Sequence, residues 1–306
     1  MKILVTGGAG YVGTPLTDLL CANPNVEQVI VYDNLSRPNY NLFIGIKKPG
    51  HEKLKFIKGE LLDTRRLRNA LKGVDVVYHL AARVTTPFAN MDAHLFDQVN
   101  NWGTAELVYA LEDNPAKKVI YTSSGGVYGS SVEPVDESFE PSPKSFYGIS
   151  KLRGEEHVRR LSGKMPYYIF RCGNVYGYNR SMRFDAVINK FIFEAAFEKR
   201  ITIHGDGEQA RSFINADVLA QALANAIHSD LPDGTYNLVD KTYKIMDIVD
   251  VLKQLMPDLE FILINQYMKQ GELNIKRNDR INEQLKITNE SSLLEDLTYF
   301  QEKFRF

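Results

Sequence analysis

Two stretches of this chain carry residue types at chemically useful spacings: Gly7-Gly8-Ala9-Gly10-Tyr11-Val12-Gly13 and Tyr147-Gly148-Ile149-Ser150-Lys151. The first follows the strand-like run Lys2–Thr6 and opens an amphipathic stretch at Tyr11–Ala22. In that context three spaced glycines predict a phosphate-binding turn. Gly7 permits the tight turn, Gly10 lets the backbone approach a pyrophosphate, and Gly13 lets the helix pack on the strand. Free N–H groups at the helix start then face the phosphates. Asp33 ends the next strand, where a carboxylate accepts hydrogen bonds from the adenosine ribose and repels a 2′-phosphate, which favours NAD. Arg37, further into the loop, reads as a solvated side chain. Asp63 has two readings of equal weight, an adenine contact or the N-cap of a helix starting at Thr64. Ala81 and Ala82, after a fourth strand, either clear room for a cofactor or simply pack.

The second stretch places Tyr147 and Lys151 on one helical face. A tyrosine is a poor base at its ordinary pKa of about 10. A nearby ammonium favours the phenolate, and the same ammonium can hold a nicotinamide ribose. Tyr147 would then move a hydroxyl proton while hydride moves to or from the ring. The run Thr122–Gly129 (TSSGGVYG) follows a fifth strand. Ser124 is expected to donate to the oxygen that becomes a carbonyl, with Ser123 as the alternative.

The elements that must position these groups alternate. Strands are predicted at Lys2–Thr6, Gln28–Tyr32, Leu54–Lys58, Asp75–His79, Lys118–Thr122 and Tyr167–Arg171, with helical patterns near 63–72, 91–113 and 146–162 between them. Such alternation implies βαβ units and an α/β fold, a Rossmann-like doubly wound parallel sheet. Beyond about residue 172 the pattern is less regular: helices near 184–199, 215–228, 244–255 and 291–304, and strands near 201–204 and at Thr235–Leu238. The expected division is a dinucleotide-binding part over 1–172 and a smaller α+β substrate-binding region over 173–306, with the halves interleaved. Lys269–Lys286 is polar and reads as a solvated loop.

Composition excludes several classes. With 37 Lys+Arg against 38 Asp+Glu the net charge is −1, so the basic excess that nucleic-acid binding needs is missing. No apolar run is long enough for a membrane span, and glycines interrupt the N-terminus where a signal peptide would stay apolar. Cys21 and Cys172 form neither a disulfide framework nor a zinc site. The histidines, at 51, 79, 94, 157, 204 and 228, lack ligand spacing, so no metal is expected. His79, at a strand end, reads as structural. The expected compartment is the cytoplasm.

Taken in order, VTGGAGYVG at 5–13, YDN at 32–34, HLAA at 79–82, TSSGGVYG at 122–129, YGISK at 147–151, RCGNVYG at 171–177, HGDGEQARSFINADV at 204–218 and GTYNLVD at 234–240 resemble an extended short-chain dehydrogenase/reductase of the NAD-dependent epimerase/dehydratase family acting on nucleotide sugars. The resemblance implies a cofactor site of Gly7, Gly10, Tyr11, Val12, Gly13, Asp33, Asn34, Asp63, Leu80, Ala81, Ala82, Asn100, Tyr147 and Lys151. It implies a catalytic trio of Ser124, Tyr147 and Lys151. Asn174 and Arg211 join Ser124 at the substrate, with Arg211 gripping the diphosphate through its planar fork or else held in an ion pair with Asp206 or Asp217; Arg180 and Arg183, in the short segment Gly177–Val187, are candidates for extra phosphate or sugar contacts. It also implies a homodimer through a four-helix bundle of the helices near 91–113 and 146–162.

Departures from the family pattern narrow the chemistry. Gly125 and Gly126 stand where 4,6-dehydratases carry an Asp-Glu pair, which disfavours dehydration. Arg277 and Arg280 are candidates for a second diphosphate arginine. The resulting expectation is an NAD-dependent nucleotide-sugar epimerase acting at C4 of a hexose through a 4-keto intermediate. The alternatives are a C4 dehydrogenase or 4-ketoreductase and, remotely, a non-catalytic dinucleotide sensor, which would not need the trio.

Overall fold

The computed structural model describes residues 1–37, 39–84, 92–265, 271–287 and 289–304. Ile3, Leu4 and Val5 are buried on both faces of β1 (Lys2–Thr6), so the strand shows no alternation, as a covered parallel sheet requires. The chain continues through α1 (Gly13–Ala22), β2 (Gln28–Asp33), β3 (Leu54–Lys58), α2 (Thr64–Leu71) and β4 (Val76–His79). Then α3 (Ala93–Phe96) passes through a π-helical turn (Asp97–Trp102) into α4 (Gly103–Asp113). There follow β5 (Lys118–Ser124), a 3-10 turn (Gly125–Tyr128), β6 (Ser131–Val135), α5 (Phe146–Arg159) and β7 (Tyr167–Cys172). The remainder comprises β8 (Asn174–Tyr176), α6 (Val187–Glu198), β9 (Arg200–His204), β10 (Ala210–Asn215), α7 (Ala216–Ala226), β11 (Gly234–Leu238), β12 (Lys241–Lys244), α8 (Ile245–Leu255), β13 (Glu260–Ile264), β14 (Leu273–Ile275), α9 (Asp279–Gln284) and α10 (Leu293–Gln301).

Seven parallel strands form the main sheet in the order β11-β7-β5-β4-β1-β2-β3. The chain reverses direction across the sheet beside β1, which creates the crevice where such folds take ligands. Helices cover both faces. Leu16 and Leu20 of α1 share one core with Leu219 and Leu223 of α7, while Leu67, Leu107 and Val158 pack on the other face.

The second half is not a body apart. It returns β11 to the main sheet beside β7 and lays α7 against α1, so residue 172 marks only where the chain first leaves the sheet. A smaller sheet of β12-β10-β14-β6, with β8 beside β10, and a two-stranded β13-β9 sheet lie beyond. A third core there gathers Phe191, Ile192, Phe213, Ile248, Leu252, Leu297 and Phe300.

The expected solvated loop at Lys269–Lys286 is corrected. Residues 269–270 lie outside the described residues. The rest contains β14 and α9, with Ile275, Ile281 and Leu285 buried. Sparse apolar residues at the right spacing outweigh the polar average. Of the helix expected from residue 91, residue 91 itself lies outside the described residues. Among the described residues no helix is long and apolar enough to cross a membrane, and no cluster of three His, Cys, Asp or Glu side chains is placed to hold a metal.

Candidate active site

A cleft of about 1250 Å³ opens over the carboxyl ends of the main-sheet strands. Its first wall is the glycine turn. Gly7 has φ +72°, a left-handed conformation, and a Cβ there would sit 2.6 Å from the Ala81 nitrogen. A Cβ on Gly13 would come within 2.3 Å of the Gly7 carbonyl oxygen, so only glycine lets α1 start this close to the turn. Gly10 meets only that same oxygen within 4 Å, which leaves open space in front of it for a pyrophosphate. The cradle therefore fits a dinucleotide.

Asp33, at the end of β2, lines the cleft and braces this turn. Its carboxylate accepts from Ala9 N at 3.1 Å and Leu35 N at 2.9 Å. Burial raises its pKa and those two N–H groups oppose the rise. Each oxygen keeps a lone pair for a ribose hydroxyl. Arg37 is ion-paired with Asp185 at 3.1 Å rather than free in solvent. Val12, Asn34, Leu80, Ala81 and Ala82 all line the cleft.

Three expected cofactor residues sit differently. Tyr11 lines the cleft, but its hydroxyl is committed to protein partners, donating to Gly177 O at 2.6 Å and accepting from Asn189 Nδ2 at 3.1 Å. Asp63 stands away from the cleft as the N-cap of α2, accepting from Arg66 N at 3.0 Å. β3 ends at Lys58, so the chain aims Glu60, Leu61 and Leu62 into the cleft before reaching Asp63. Glu60 was missed, although it is the first carboxylate after that strand. Asn100 is buried behind the cleft wall. It accepts from Arg83 N at 2.7 Å and donates to Arg83 O and Ser150 Oγ, both at 2.9 Å. It braces the loop after β4 against α5.

Ser145 caps α5, accepting from Gly148 N at 3.0 Å, and α5 delivers Tyr147 and Lys151 to the cleft beside Ser124. The Ser124 hydroxyl and the Tyr147 ring are neighbours, both within 4 Å of the point a Cβ on Gly126 would occupy. Ser123 is committed elsewhere, donating to Glu155 Oε1 at 2.6 Å, so Ser124 is the hydroxyl available at the tyrosine. The expectation that the Lys151 ammonium depresses the Tyr147 pKa is corrected. Burial raises it, and the opposing influences are Ser124 and Arg183. Lys151 is itself buried and pushed down to about 7, with Nζ 4.1 Å from the Tyr121 ring centroid. His79 is structural: Thr6 Oγ1 lies 2.7 Å from Nδ1, Thr104 Oγ1 lies 2.9 Å from Nε2, and burial pulls its pKa down to about 3.

The far wall comes from the second half. Asn174, Arg183 and Arg211 line it. Asn174 donates to Ser212 O at 3.1 Å. Arg183 pairs with Asp185 at 2.7 Å. Arg211 donates from Nη1 to the carbonyls of Ala210 and Gly271 and pairs with neither Asp206 nor Asp217 among the described residues. Arg277 and Arg280 do not border the cleft, and Arg277 pairs with Asp279 at 3.4 Å. The two halves are clamped at the glycine turn: Thr14 donates to Ser181 at 2.7 Å and Arg180 reaches Asp18 at 2.7 Å.

The glycine cradle, the Asp33 brace and the Ser-Tyr-Lys trio thus share one cleft. Residues 3–238 match the model of the NAD dependent epimerase/dehydratase family. The chain belongs to that family. As a member of the epimerase/dehydratase family it resembles the UDP-glucose 4-epimerase of Mycolicibacterium smegmatis, with 30% identity over 74% of this chain and 73% of that one. It is also similar to the human dTDP-D-glucose 4,6-dehydratase, with 31% identity over 83% of this chain and 73% of that one. Among solved structures of the family, the UDP-glucuronic acid 4-epimerase of Bacillus cereus, in complex with UDP-glucuronic acid and NAD, superimposes with a TM-score of 0.85. It shows 26% identity and covers 99% of this chain and 98% of that one.

Proposed function

We propose that this protein is an NAD-dependent nucleotide-sugar epimerase acting at C4. The observation that carries the reading is that Ser124, Tyr147 and buried Lys151 line the same cleft as the glycine cradle. Relatives named 4-epimerases support it. When bound, NAD supplies a reversible hydride acceptor, so that a C4 carbinol oxidised on one face and reduced on the other changes configuration without net redox. Gly7, Gly10 and Gly13 hold its pyrophosphate, Asp33 its adenosine ribose and Lys151 its nicotinamide ribose. Ser124 donates to the sugar O4, and Tyr147 takes and returns the O4 proton. Arg211 and Arg183 grip the anionic diphosphate.

Dehydration is the alternative, because a relative of equal identity is named a 4,6-dehydratase. Against it stand Gly125 and Gly126, which put no carboxylate after Ser124. A side chain at position 125 would meet Ile275 Cδ1 at 2.3 Å. The reading extends to a cytoplasmic homodimer. Both cysteines are free and buried, as suits a reducing compartment. Trp102, Tyr109 and Phe146 lie exposed along the face of α4 and α5, where a second copy would pack. Sedimentation of the protein would decide that point, a single monomeric species counting against it.

The test offers UDP-, dTDP-, GDP- and CDP-hexoses and analyses the products. A C4 epimer without accumulating NADH is expected. A 4-keto-6-deoxy product means dehydration, and stoichiometric NADH means net oxidation. Tyr147→Phe should lower turnover by roughly 10²–10⁴, and near wild-type turnover in that variant removes the base assignment.

A further inference from the structure

Glu155 lies fully buried on α5, one helical turn after Lys151 and two after Tyr147. Its Oε1 accepts from Ser123 Oγ at 2.6 Å and Arg171 Nε at 3.0 Å. Its Oε2 accepts from Arg171 Nη2 at 2.8 Å and Arg159 Nη2 at 2.7 Å. Ser123 on β5 immediately precedes Ser124, and Arg171 on β7 immediately precedes Cys172, which lines the cleft. The Arg171 guanidinium also stacks 4.7 Å over the Tyr128 ring, whose hydroxyl donates to Asn237 at 2.7 Å. One carboxylate thus ties the helix bearing the proton-transfer residues to both strands that frame them. We infer that Glu155 is a positioning residue for the reaction, fixing α5 against β5 and β7 and placing a negative charge one turn behind Lys151.

Packing alone does not account for it. A buried ion pair is weak evidence for stability, since well-packed apolar residues serve as well or better. The groups facing Lys151 show what the charge does. His79 comes from β4, Tyr121 from β5, Cys172 from β7, and Tyr147 and Glu155 from α5 itself. His79 is held neutral by its low pKa. Burial keeps the Cys172 thiol, pushed up to about 12, and the Tyr121 and Tyr147 phenols protonated. Cys172 and then Glu155 oppose the burial that lowers the Lys151 pKa, and of the two Glu155 is the carboxylate, ion-paired with Arg171 and Arg159.

The test is Glu155→Gln in the full chain, with NAD affinity measured by calorimetric titration from pH 5.5 to 9. Wild-type affinity should fall as pH rises through about 7, where free Lys151 loses its proton. In the variant that fall should move to lower pH, leaving affinity at pH 7 several-fold weaker. Turnover should drop about tenfold with KM for the sugar unchanged. A folded variant with the wild-type pH profile overturns the inference. If Glu155→Gln does not fold, Ser123→Ala decides: it cuts the tie to β5 and keeps the charge, so turnover should fall several-fold with the pH midpoint unmoved. Wild-type turnover in Ser123→Ala overturns the positioning role. The turnover readouts rest on the proposed epimerisation, but the NAD titration does not, so a failure to turn over any sugar would be told apart from a failure of this inference.

Discussion

Gly7, Gly13 and Asp33 shape the dinucleotide end of the cleft through the path of the backbone, whereas Asn174, Arg183 and Arg211 line the far end as side chains already engaged with protein partners. At the first end a ligand meets a rigid, preformed surface. At the second, a diphosphate must take arginine donors from partners they already have, Asp185 for Arg183 and two carbonyls for Arg211. Cofactor binding should therefore fail steeply with shape, and substrate binding should decline gradually with charge. Gly13→Ala is the severest test. Its Cβ would lie 2.3 Å from the Gly7 oxygen, backbone against backbone. A loss of about 3 kcal/mol in stability and of NAD binding is expected by thermal denaturation and titration. Gly10→Ala should cost about 1 kcal/mol or less yet still abolish NAD binding, because its Cβ fills the space left for the pyrophosphate. If both variants bind NAD, the cradle is not where the cofactor sits.

His79 makes the dinucleotide end sensitive to acid as well. Its folded pKa is pulled down to about 3 by burial, with the Lys151 charge helping, against an ordinary 6.5. The unfolded chain binds the proton first as pH falls, so stability present above about 6.5 is lost on the way towards 3. Between pH 7.5 and 5 the loss from this residue is roughly 2 kcal/mol, readable as a falling urea midpoint. His79→Asn should start lower and lose less over that interval. An equal loss in both proteins would assign the acid sensitivity to other groups.

The contrast also explains what could be read from the sequence. Strands β1 and β3 match their expected limits residue for residue: β1 is an unbroken apolar run, Ile3–Val5, and β3 a short run of Leu54, Phe56 and Ile57 bounded by Lys58. The glycine turn and the Tyr147–Lys151 pair were equally plain, since local spacing alone brings their residues to one place in the cleft. Asp63 was not, because a carboxylate between strand and helix satisfies a cap as well as a ligand, and only the exact strand end shows that Glu60 borders the cleft. The clamp of Tyr11 on Gly177 and Arg180 on Asp18 spans more than 160 residues of chain, and no local pattern encodes it. Return of β11 to the main sheet was hidden for the same reason: a short strand such as Thr235–Leu238 does not say which neighbour it will pair with.

At the sugar end, Arg211→Gln should weaken substrate binding without touching the cofactor. Burial lowers the arginine's pKa, with the Glu272 charge acting the other way, and Nη1 is already spent on two carbonyls. Loss of a charge-assisted contact to a phosphate is worth about 1.5 kcal/mol, near tenfold in KM. NAD affinity and kcat should stay within twofold. A fall in kcat with unchanged KM would place Arg211 in the chemical step instead.

Arg37→Ala carries the smallest expected effect and probes the join between the two ends. Asp185 sits between Arg37, from the adenosine side, and Arg183, from the sugar side. Burial would raise its pKa, but Arg183 first and Arg37 second hold it below the usual carboxylate range. Arg37 is half exposed, with a side-chain accessibility of 50%, so its pair contributes only about 0.5 kcal/mol, a difference that high salt should erase. Asp185 keeps Arg183 either way, so KM for the sugar should hardly move while NAD affinity stays constant. A several-fold rise in KM from this half-exposed residue would mean that Asp185 passes the state of one end to the other. The two ends would then have to be treated as one coupled site.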